Sequence, residues 1–365
     1  MKPHYPILDG LRGVAAVMVV AFHIFEASAT SPLDQIINHG YLAVDFFFVL
    51  SGFVVGYAYD DRWGKMSIGN FFKLRLIRLQ PMVVMGMIIG AICFYFQQSV
   101  LWPGISDVPV WKVLLIMLIG FTLIPVPLSM DIRGWTEMHP LNGPGWSLFF
   151  EYIANIFYGL FIRKFSKTAL SILVFIAGAA LIHLAVTKGD VIGGWSLESR
   201  QLRIGFTRVM YPFFAGLLLN RIGKLVQIKH AFLLCSLLIT AALAVPRFGG
   251  SQHAWINGLY DSITIIFIFP LIVFLGASGT MGSISAKRLC KFFGDISYPI
   301  YITHYPLIYI YTGWVADNKT PIEKALPYGA VVLIASIAIA YACLKLYDEP
   351  VRAWLKKKWL LKNKS

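Results

Sequence analysis

Charged residues are scarce in this sequence. Only 14% of its 365 residues are Asp, Glu, Lys or Arg, whereas 58% are hydrophobic. Because about a quarter of the residues in a soluble domain are charged, this composition excludes a soluble globular protein. The sequence also lacks a polar block of the size of a soluble domain. It therefore predicts one transmembrane domain over residues 1–350, followed by a basic cytoplasmic tail of residues 351–365.

Cysteine is rare as well, and no two cysteines are closely spaced. The four are Cys93, Cys235, Cys290 and Cys343, all in or beside apolar runs. Structural metal sites and redox motifs, in contrast, use closely spaced ligands. We therefore expect packing thiols, no metal site and no bound cofactor.

Acidic residues are outnumbered by basic ones. The chain has 18 Asp and Glu against 32 Lys and Arg, which gives a net charge of +14. Such a balance can indicate a nucleic-acid-binding protein. Here the basic residues instead form short clusters between apolar runs, as they do in the cytoplasmic loops of membrane proteins. The sequence therefore predicts the lipid bilayer as a partner and no nucleic acid.

Apolar runs long enough to cross a membrane recur along the whole chain. A crossing helix needs roughly twenty predominantly apolar residues. Eleven runs approach or reach this length: 11–28, 39–58, 79–97, 111–128, 145–162, 168–187, 205–220, 231–246, 259–279, 295–315 and 327–347.

The basic clusters limit how many of these runs cross. If every cluster is cytoplasmic, an even number of crossings must separate neighbouring clusters. Three runs lie between Arg78 and Arg163, so one of them does not cross. The run 111–128 ends in "IPVPL", whose prolines interrupt a helix. We therefore predict an all-α polytopic fold with about ten transmembrane helices, a re-entrant or partial helical segment within residues 98–144, and both termini in the cytoplasm.

The first run carries two ionisable residues on one helical face. Arg12 and His23 are eleven residues apart, which corresponds to about 16 Å along a helix and about 20° around it. An ionisable residue inside a membrane normally faces the protein interior or a wet cavity. With the N-terminus inside, Arg12 lies near the cytoplasmic boundary and His23 in the outer half. The pair predicts a polar track along this helix.

Two carboxylates are predicted at a depth similar to that of His23. Asp45 lies near the outer start of the second run, and Glu151 lies one turn into the run that opens with Trp146 and Ser147. A buried carboxylate needs a partner, and His23 is the nearest candidate for Asp45 in chain order. Asp45 or Glu151 could orient the imidazole of His23 as a general base, and the sequence leaves both possibilities open.

Further polar residues mark two other runs. Arg75 and Arg78 lie at the cytoplasmic start of the third helix, where arginine can anchor topology or bind phosphate in bidentate fashion. Ser297 and His304 lie in "DISYPIYITHYPLIYIY", whose prolines loosen backbone hydrogen bonding. We predict seven substrate-binding residues in all: Arg12, Arg75, Arg78, Trp146, Ser147, Ser297 and His304.

Five motifs, in order, resemble the membrane acyltransferase-3 family. They are "LDGLRGVAAVMVVAFH", "VDFFFVLSGF", "RLIRLQP", "WSLFFE" and "ISYPIYITHYPLI". The resemblance extends from residue 8 to about residue 350. It departs from the family pattern at Lys73, where the family often has arginine, and at "DEP", Asp348 to Pro350, where a Glu-x-Pro is usual.

The resemblance implies an O-acyltransferase of the bacterial inner membrane. Such an enzyme transfers an acyl group, usually acetyl, from cytoplasmic acyl-CoA to a hydroxyl of a carbohydrate, glycan or other acceptor on the far side. It further implies that Arg12 and His23 are essential and that Arg75 and Arg78 handle coenzyme A. His23 would serve as general base, because histidine titrates near neutral pH. The acceptor, the acyl chain length and the choice between direct transfer and an acyl-enzyme stay open. A proton-coupled carrier is the alternative function, because carriers also bury ionisable residues.

Overall fold

The computed structural model describes residues 4–361, and the regular structure within that range is helical. No β-strand occurs among the described residues, which contain only isolated bridges. The α-helices are α1 Pro6–Glu26, α2 Ala43–Tyr59, α3 Ile68–Cys93, α4 Val110–Gly120, α5 Gly145–Leu160, α6 Lys167–Lys188, α7 Ser199–Ile222, α8 Ala231–Ala244, α9 Trp255–Ile263, α10 Phe269–Ala277, α11 Ile284–Thr303, α12 Tyr305–Asn318, α13 Ile322–Cys343 and α14 Glu349–Lys356. The predicted all-α class is therefore correct.

Seven helical stretches within the described range are long and apolar enough to cross a membrane. They are Pro6–Glu26, Gly40–Tyr59, Ile68–Gln97, Lys167–Lys188, Ser199–Ile222, Trp255–Ala277 and Ile322–Leu360. This makes the chain a polytopic integral membrane protein. Three further predicted crossings coincide with shorter helices: α5 has 16 residues, α8 has 14, and the run 295–315 is divided between α11 and α12. The count of ten crossings stays a prediction.

The segment between α3 and α5 is mostly irregular. It contains α4, whose 11 residues are about half the length that a crossing requires. After α4 the chain forms turns: Leu123 and Thr136 have positive φ, and Asp131 accepts backbone hydrogen bonds from Arg133 and Thr136. These local bonds satisfy backbone groups that no helix satisfies.

Prolines divide several of the long helices. Proline lacks an N–H and its ring clashes with the carbonyl of residue i−4, which opens the helix locally. A π-helical turn, Thr264–Ile268, precedes Pro270 and joins α9 to α10. A second one, Leu344–Asp348, precedes Pro350 and joins α13 to α14. Helical structure therefore continues through most of the predicted basic tail, up to Leu361, and residues 362–365 lie outside the described range.

Burial separates central helices from peripheral ones. The most apolar part of Gly40–Tyr59 is 72% buried, whereas that of Lys167–Lys188 is 33% and that of Ile322–Leu360 is 22% buried. Apolar side chains such as Phe175 and Ile334 remain exposed on these peripheral helices. Since a bilayer is as apolar as these side chains, the peripheral helices suit contact with lipid.

Two helix pairs approach closely enough to bring polar side chains together. A Cβ at Gly13 of α1 would lie 2.3 Å from the carbonyl oxygen of Phe293 in α11. A Cβ at Gly216 of α7 would lie 1.9 Å from the carbonyl oxygen of Val49 in α2. Only glycine permits these distances, as is common between membrane helices. The α1–α11 and α2–α7 contacts carry the polar residues described next.

Candidate active site

Helices α1 and α11 contact each other through polar side chains at two levels. At one level Arg12 Nε donates to Ser297 Oγ over 2.7 Å. At the other the rings of His23 and His304 stack with their centroids 5.8 Å apart. The polar track predicted along α1 therefore faces a second track on α11. We call the two levels the Arg12 end and the His23 end of the bundle.

Arg12 is held by several partners. Its NH2 group donates to Asp9 Oδ1 at 3.0 Å and to the carbonyl of Gly294 at 3.5 Å. Ser297 in turn donates to the carbonyl of Gly294 at 2.8 Å, so its lone pairs accept from Arg12. These bonds fix the guanidinium between α1 and α11, although 23% of the Arg12 side chain remains exposed.

A cavity of about 1330 Å³ extends from the Arg12 end into the bundle. Exposed basic residues, Arg62, Lys287 and Lys356, line it where α2, α11 and α14 meet the bundle surface. The cavity also reaches the buried side chains of Tyr301, whose ring neighbours that of His304, and of Ser147, and we call this its deep part. Ligand pockets usually measure about 300–1,000 Å³, so this cavity can accommodate a large ligand.

The cavity wall carries an excess of positive charge. Eight Arg and Lys and five Asp and Glu side chains of the described residues line it. Arg12 and Arg75 are paired with Asp9 and Glu151. Arg78 has no hydrogen bond or ion pair to any described side chain, and the same holds for Arg62, Lys287 and Lys356. These unpaired cations are available to an anionic ligand.

Arg75 and Glu151 form one unit in the cavity wall. Arg75 NH2 and Ser51 Oγ both donate to Glu151 Oε1, each at 2.7 Å. The Arg75 Nε has no hydrogen-bond partner within residues 4–361. The predicted orientation of His23 by Glu151 is wrong, because this carboxylate is occupied by Arg75 and Ser51. Of the two arginines predicted to bind the donor, only Arg78 lacks a partner among the described side chains.

His23 pairs with a carboxylate of its own helix. Its Nδ1 lies 2.7 Å from Oε2 of Glu26, one turn further along α1. The His23 side chain is 16% exposed and that of Glu26 is 51% exposed. Tyr305 packs edge-on against the imidazole, with ring centroids 4.8 Å apart. His23 is absent from the cavity wall, and its ring is linked to it through neighbouring rings: it stacks on His304, whose centroid lies 6.2 Å from that of Tyr301 in the wall.

Asp45 is committed to a different partner. Arg208 Nε and NH2 donate to its two carboxylate oxygens at 3.2 and 2.6 Å, and both side chains are almost completely buried. The prediction that Asp45 orients His23 is therefore wrong. The close α2–α7 contact supplies an arginine that the sequence did not indicate as a partner.

Trp146 packs beside the ion pair of Asp45 and Arg208. Its ring lies 5.1 Å from the guanidinium of Arg208 and is only 8% exposed. Trp146 was predicted as a substrate-binding residue, but the structure places it away from the cavity wall. It packs in the protein core.

His304 lies at the break between α11 and α12 and is completely buried. Its Nδ1 lies 2.9 Å from the carbonyl oxygens of Ile300 and Tyr301, which places the ring proton on Nδ1. Its Nε2 has no hydrogen-bond partner in the part of the chain that the structure describes. His304 therefore presents a lone pair from a fixed ring orientation.

A hydroxyl pair marks the deep part of the cavity. Ser147 Oγ donates to the carbonyl of Pro144 at 3.0 Å. The hydroxyls of Ser147 and Tyr301 are 2.6 Å apart. Because the Ser147 proton is used by Pro144, Tyr301 donates to Ser147. Ser147 and Ser297 are thus both in the cavity wall, as their prediction as substrate-binding residues requires.

The irregular segment before α5 is fixed to α12 by buried ionic and aromatic contacts. Tyr309 donates to Glu137 at 2.6 Å, and the Arg133 guanidinium lies 3.7 Å from the Tyr309 ring centre. Burial raises the pKa of Glu137 to about 7, against the opposing attraction of Arg133 and the Tyr309 hydrogen bond. Burial also lowers the pKa of His139 to about 3, so this histidine is neutral.

Several of these residues were not predicted from the sequence. Glu26 carried a usable signal, because a carboxylate three residues after a histidine shares its helix face. Tyr301 did as well, since it lies four residues after Ser297 and three before His304 on α11. Arg208 and Ser51 carried none, since their partners come from distant parts of the chain.

The sequence of this chain is similar to those of several known proteins. The sequence profile of the acyltransferase domain family matches residues 5–345. Protein 2 in the picA locus of Rhizobium radiobacter is 30% identical over 191 residues, covering 50% of this chain and 94% of that protein. No solved structure matches.

Two further relatives have enzyme names. Acyltransferase MdmB of Streptomyces mycarofaciens is 32% identical over 44% of this chain and 40% of its own length. O-acetyltransferase OatA of Staphylococcus aureus is 22% identical over 96% of this chain and 58% of its own length. The chain thus spans about half the length of these two relatives. Because the family profile covers nearly the whole sequence, the chain belongs to the acyltransferase domain family, as an integral membrane member of it.

Proposed function

We propose that this protein is a membrane O-acyltransferase that transfers an acyl group, most simply acetyl, from acyl-CoA in the cytoplasm to a hydroxyl of a carbohydrate or glycan on the opposite side. Family membership supports the reaction type. The name of the Staphylococcus aureus relative supports acetyl transfer to oxygen. The bacterial inner membrane is the proposed location.

The observation that carries this proposal is the basic cavity at the Arg12 end. Coenzyme A has a long body with phosphate groups, and unpaired arginine and lysine side chains bind phosphate through charge-assisted hydrogen bonds. Arg78, Arg62, Lys287 and Lys356 offer such side chains along a cavity of about 1330 Å³. Their position also suits the positive-inside rule, which puts the Arg12 end and both termini in the cytoplasm.

His23 is proposed as the general base at the other end of the track. With its Nδ1 proton donated to Glu26, Nε2 is free to accept a proton. In the reaction, His23 removes the proton of the acceptor hydroxyl while that oxygen forms a bond to the acyl carbon. The C–S bond of the thioester then breaks, and the coenzyme A sulfur takes the proton from His23. The reaction consumes no further reactant.

The stacked His304 ring is proposed to hold His23 toward the cavity. Its orientation is fixed by two backbone carbonyls, so the His23 ring that stacks on it has a defined position. Transfer also requires that the acyl carbon come within reach of His23, which does not line the cavity. Water exclusion by the rings that pack against His23, those of His304 and Tyr305, would protect the thioester from hydrolysis.

Release of coenzyme A distinguishes this function from transport. The purified protein in lipid nanodiscs, given acetyl-CoA and a panel of glycans, should release coenzyme A and add the mass of an acetyl group to one of them. The His23→Ala variant should bind acetyl-CoA but release almost none, because loss of a general base lowers the rate about 10²–10⁴-fold. His253→Ala, in an exposed turn, is the matched control.

Membrane vesicles of known orientation test the direction of transfer. Inside-out vesicles should consume acetyl-CoA added from outside, whereas right-side-out vesicles should not. Transport of acceptor without coenzyme A release would instead identify a carrier. Consumption of acetyl-CoA by right-side-out vesicles alone would reverse the proposed orientation.

A further inference from the structure

We infer that Tyr301 is a catalytic residue whose hydroxyl binds the carbonyl oxygen of the acyl thioester and stabilises the oxyanion that forms there. This inference rests on the proposed function. It concerns a residue that contacts neither Arg12 nor His23 through a hydrogen bond, and it follows from the hydroxyl pair in the deep part of the cavity.

The position of Tyr301 along α11 suits the reacting carbon. Ser297, Tyr301 and His304 share one face, because they are four and three residues apart. Tyr301 therefore lies about 6 Å further along the helix than Ser297, and about 4.5 Å before His304. The ring centroids of Tyr301 and His304 are 6.2 Å apart. A thioester held at this level lies between the basic part of the cavity and the histidines.

The hydroxyl of Tyr301 can donate its hydrogen bond to a ligand in place of Ser147. Its only hydroxyl partner among the described residues is Ser147 Oγ, a neutral acceptor that is already anchored to Pro144. Tyr298 on the same cavity wall differs, because its hydroxyl donates to the backbone carbonyl of Leu79 at 2.7 Å. A developing oxyanion is a stronger acceptor than a hydroxyl, so Tyr301 gains more from the transition state than from Ser147.

The surroundings of Tyr301 strengthen such a bond. Its side chain is 6% exposed, and Phe47, which also lines the cavity, packs edge-on against it with ring centroids 5.3 Å apart. Hydrogen bonds to charge are worth more in a dry site than in water. Phe47 also restricts the ring, so the hydroxyl is preorganised.

The same geometry argues against Ser147 as a nucleophile. Its proton is donated to Pro144, and no histidine or carboxylate of the described residues is hydrogen-bonded to its Oγ. The chemistry therefore runs as follows. The acceptor oxygen attacks the acyl carbon, the carbonyl electron pair moves to oxygen, and Tyr301 donates a hydrogen bond to it. When the C–S bond breaks, the carbonyl re-forms and Tyr301 keeps its proton throughout.

The test compares tyrosine variants in the coenzyme A release assay. Tyr301→Phe should lower kcat about 10²–10³-fold, the usual effect of losing one oxyanion donor, while the dissociation constant of acetyl-CoA stays within twofold of wild type. Tyr311→Phe is the matched control and should keep kcat, because it removes an α12 hydroxyl that donates to the Ala325 carbonyl of α13. Replacement of Tyr301 by 3-fluorotyrosine, a stronger hydrogen-bond donor, should retain or raise kcat at pH 7.

Three outcomes would overturn the inference. Tyr301→Phe with near wild-type kcat would do so while leaving the proposed function intact. A loss of thermal stability and of acetyl-CoA binding in proportion to the loss of activity would assign Tyr301 to packing alone. An acyl group found on Ser147 by mass spectrometry would replace direct transfer by an acyl-serine. If the wild type itself releases no coenzyme A with any acceptor, the proposed function fails first and this inference with it.

Discussion

The guanidinium of Arg75 donates to the carboxylate of Glu151 over 2.7 Å, across the cavity wall between α3 and α5. One residue was predicted to bind the acyl donor and the other to assist catalysis. Their pairing makes each the partner of the other, so neither is free for its predicted task in this arrangement. Substitutions at Arg75 and Arg78 should therefore have different consequences.

Arg78→Gln should weaken donor binding without weakening the fold. Arg78 lines the cavity and has no partner among the described side chains, so it is available to a phosphate. Loss of one charge-assisted hydrogen bond should raise the KM for acetyl-CoA about ten- to a hundredfold, with an unchanged melting temperature. Arg288→Gln, an exposed arginine outside the cavity wall, is the control. An unchanged KM would leave Arg78 as a topology anchor only.

Arg75→Gln should mainly destabilise the protein. Its removal leaves the largely buried Glu151 with Ser51 as its remaining side-chain partner. Breaking a buried pair costs about 3–5 kcal/mol, and the 15% exposure of the Glu151 side chain reduces this somewhat. Thermal unfolding in detergent measures the effect, and a double variant with Glu151→Gln should recover part of it. Full stability of the single variant would contradict the pairing.

Glu26→Gln should reduce turnover much less than His23→Ala does. Glu26 holds Nδ1 of His23, but its side chain is 51% exposed, so solvent screens the interaction. Exposed pairs contribute about 0.2–1 kcal/mol, which corresponds to at most about fivefold in rate. Steady-state kinetics at fixed acceptor concentration checks this. A loss as large as that of His23→Ala would show that Glu26 itself takes part in proton transfer.

Asp45→Asn should unfold the protein more readily, because it leaves the buried Arg208 without its countercharge. The expected loss is about 3–5 kcal/mol in free energy of unfolding, and the remaining folded fraction should keep normal turnover. The double variant Asp45→Leu with Arg208→Met should be more stable than either single variant. Asp45→Asn with wild-type stability and no turnover would restore the catalytic assignment of Asp45.

The stability of the segment before α5 should fall as the pH rises. Burial raises the pKa of Glu137 from 4.5 to about 7. The folded state therefore binds this proton more tightly than the unfolded state, and the contribution is complete below pH 4.5 and lost as the pH rises through about 7. The size is on the order of 3 kcal/mol. Melting temperatures from pH 5 to pH 8 should show this slope in wild type and not in Glu137→Gln.

Asp107→Asn is the control for this pH effect, since Asp107 is an exposed acid in the same segment. Its pH profile should match that of wild type. A Glu137→Gln variant that keeps the wild-type slope would assign the effect to another group.

Cysteine labelling should show that the chain crosses the membrane between residues 129 and 164. Ser129 and Lys164 are both exposed, one before α5 and the other after it. In a background without the four native cysteines, Ser129→Cys should react with an impermeant reagent from outside, and Lys164→Cys should react only after permeabilisation. Ser129 suits this labelling better than Glu137 in the same segment, because Glu137 is buried. Labelling of both sites from outside would exclude the ten-crossing topology.

The sequence by itself determined the class of the fold and the helical face that Arg12 and His23 share. Composition requires a membrane protein, since a chain with 14% charged residues cannot cover a soluble surface. The eleven-residue interval between Arg12 and His23 is a helical period, so their common face follows from local geometry alone. For the same reason the helix break at His304 could be expected from Pro299 and Pro306.

Only the tertiary structure decided which charged side chains form ion pairs with one another. Glu151 pairs with Arg75 and Asp45 with Arg208, across intervals of 76 and 163 residues that no periodicity connects. Such partners depend on how closely helices approach, and the α2–α7 approach depends on a glycine against a backbone carbonyl. The sequence suggested His23 as the partner of Asp45, because the two residues are near in chain order and are predicted to lie at a similar depth. Depth fixes one coordinate of a side chain, whereas an ion pair of 2.6 Å requires all three.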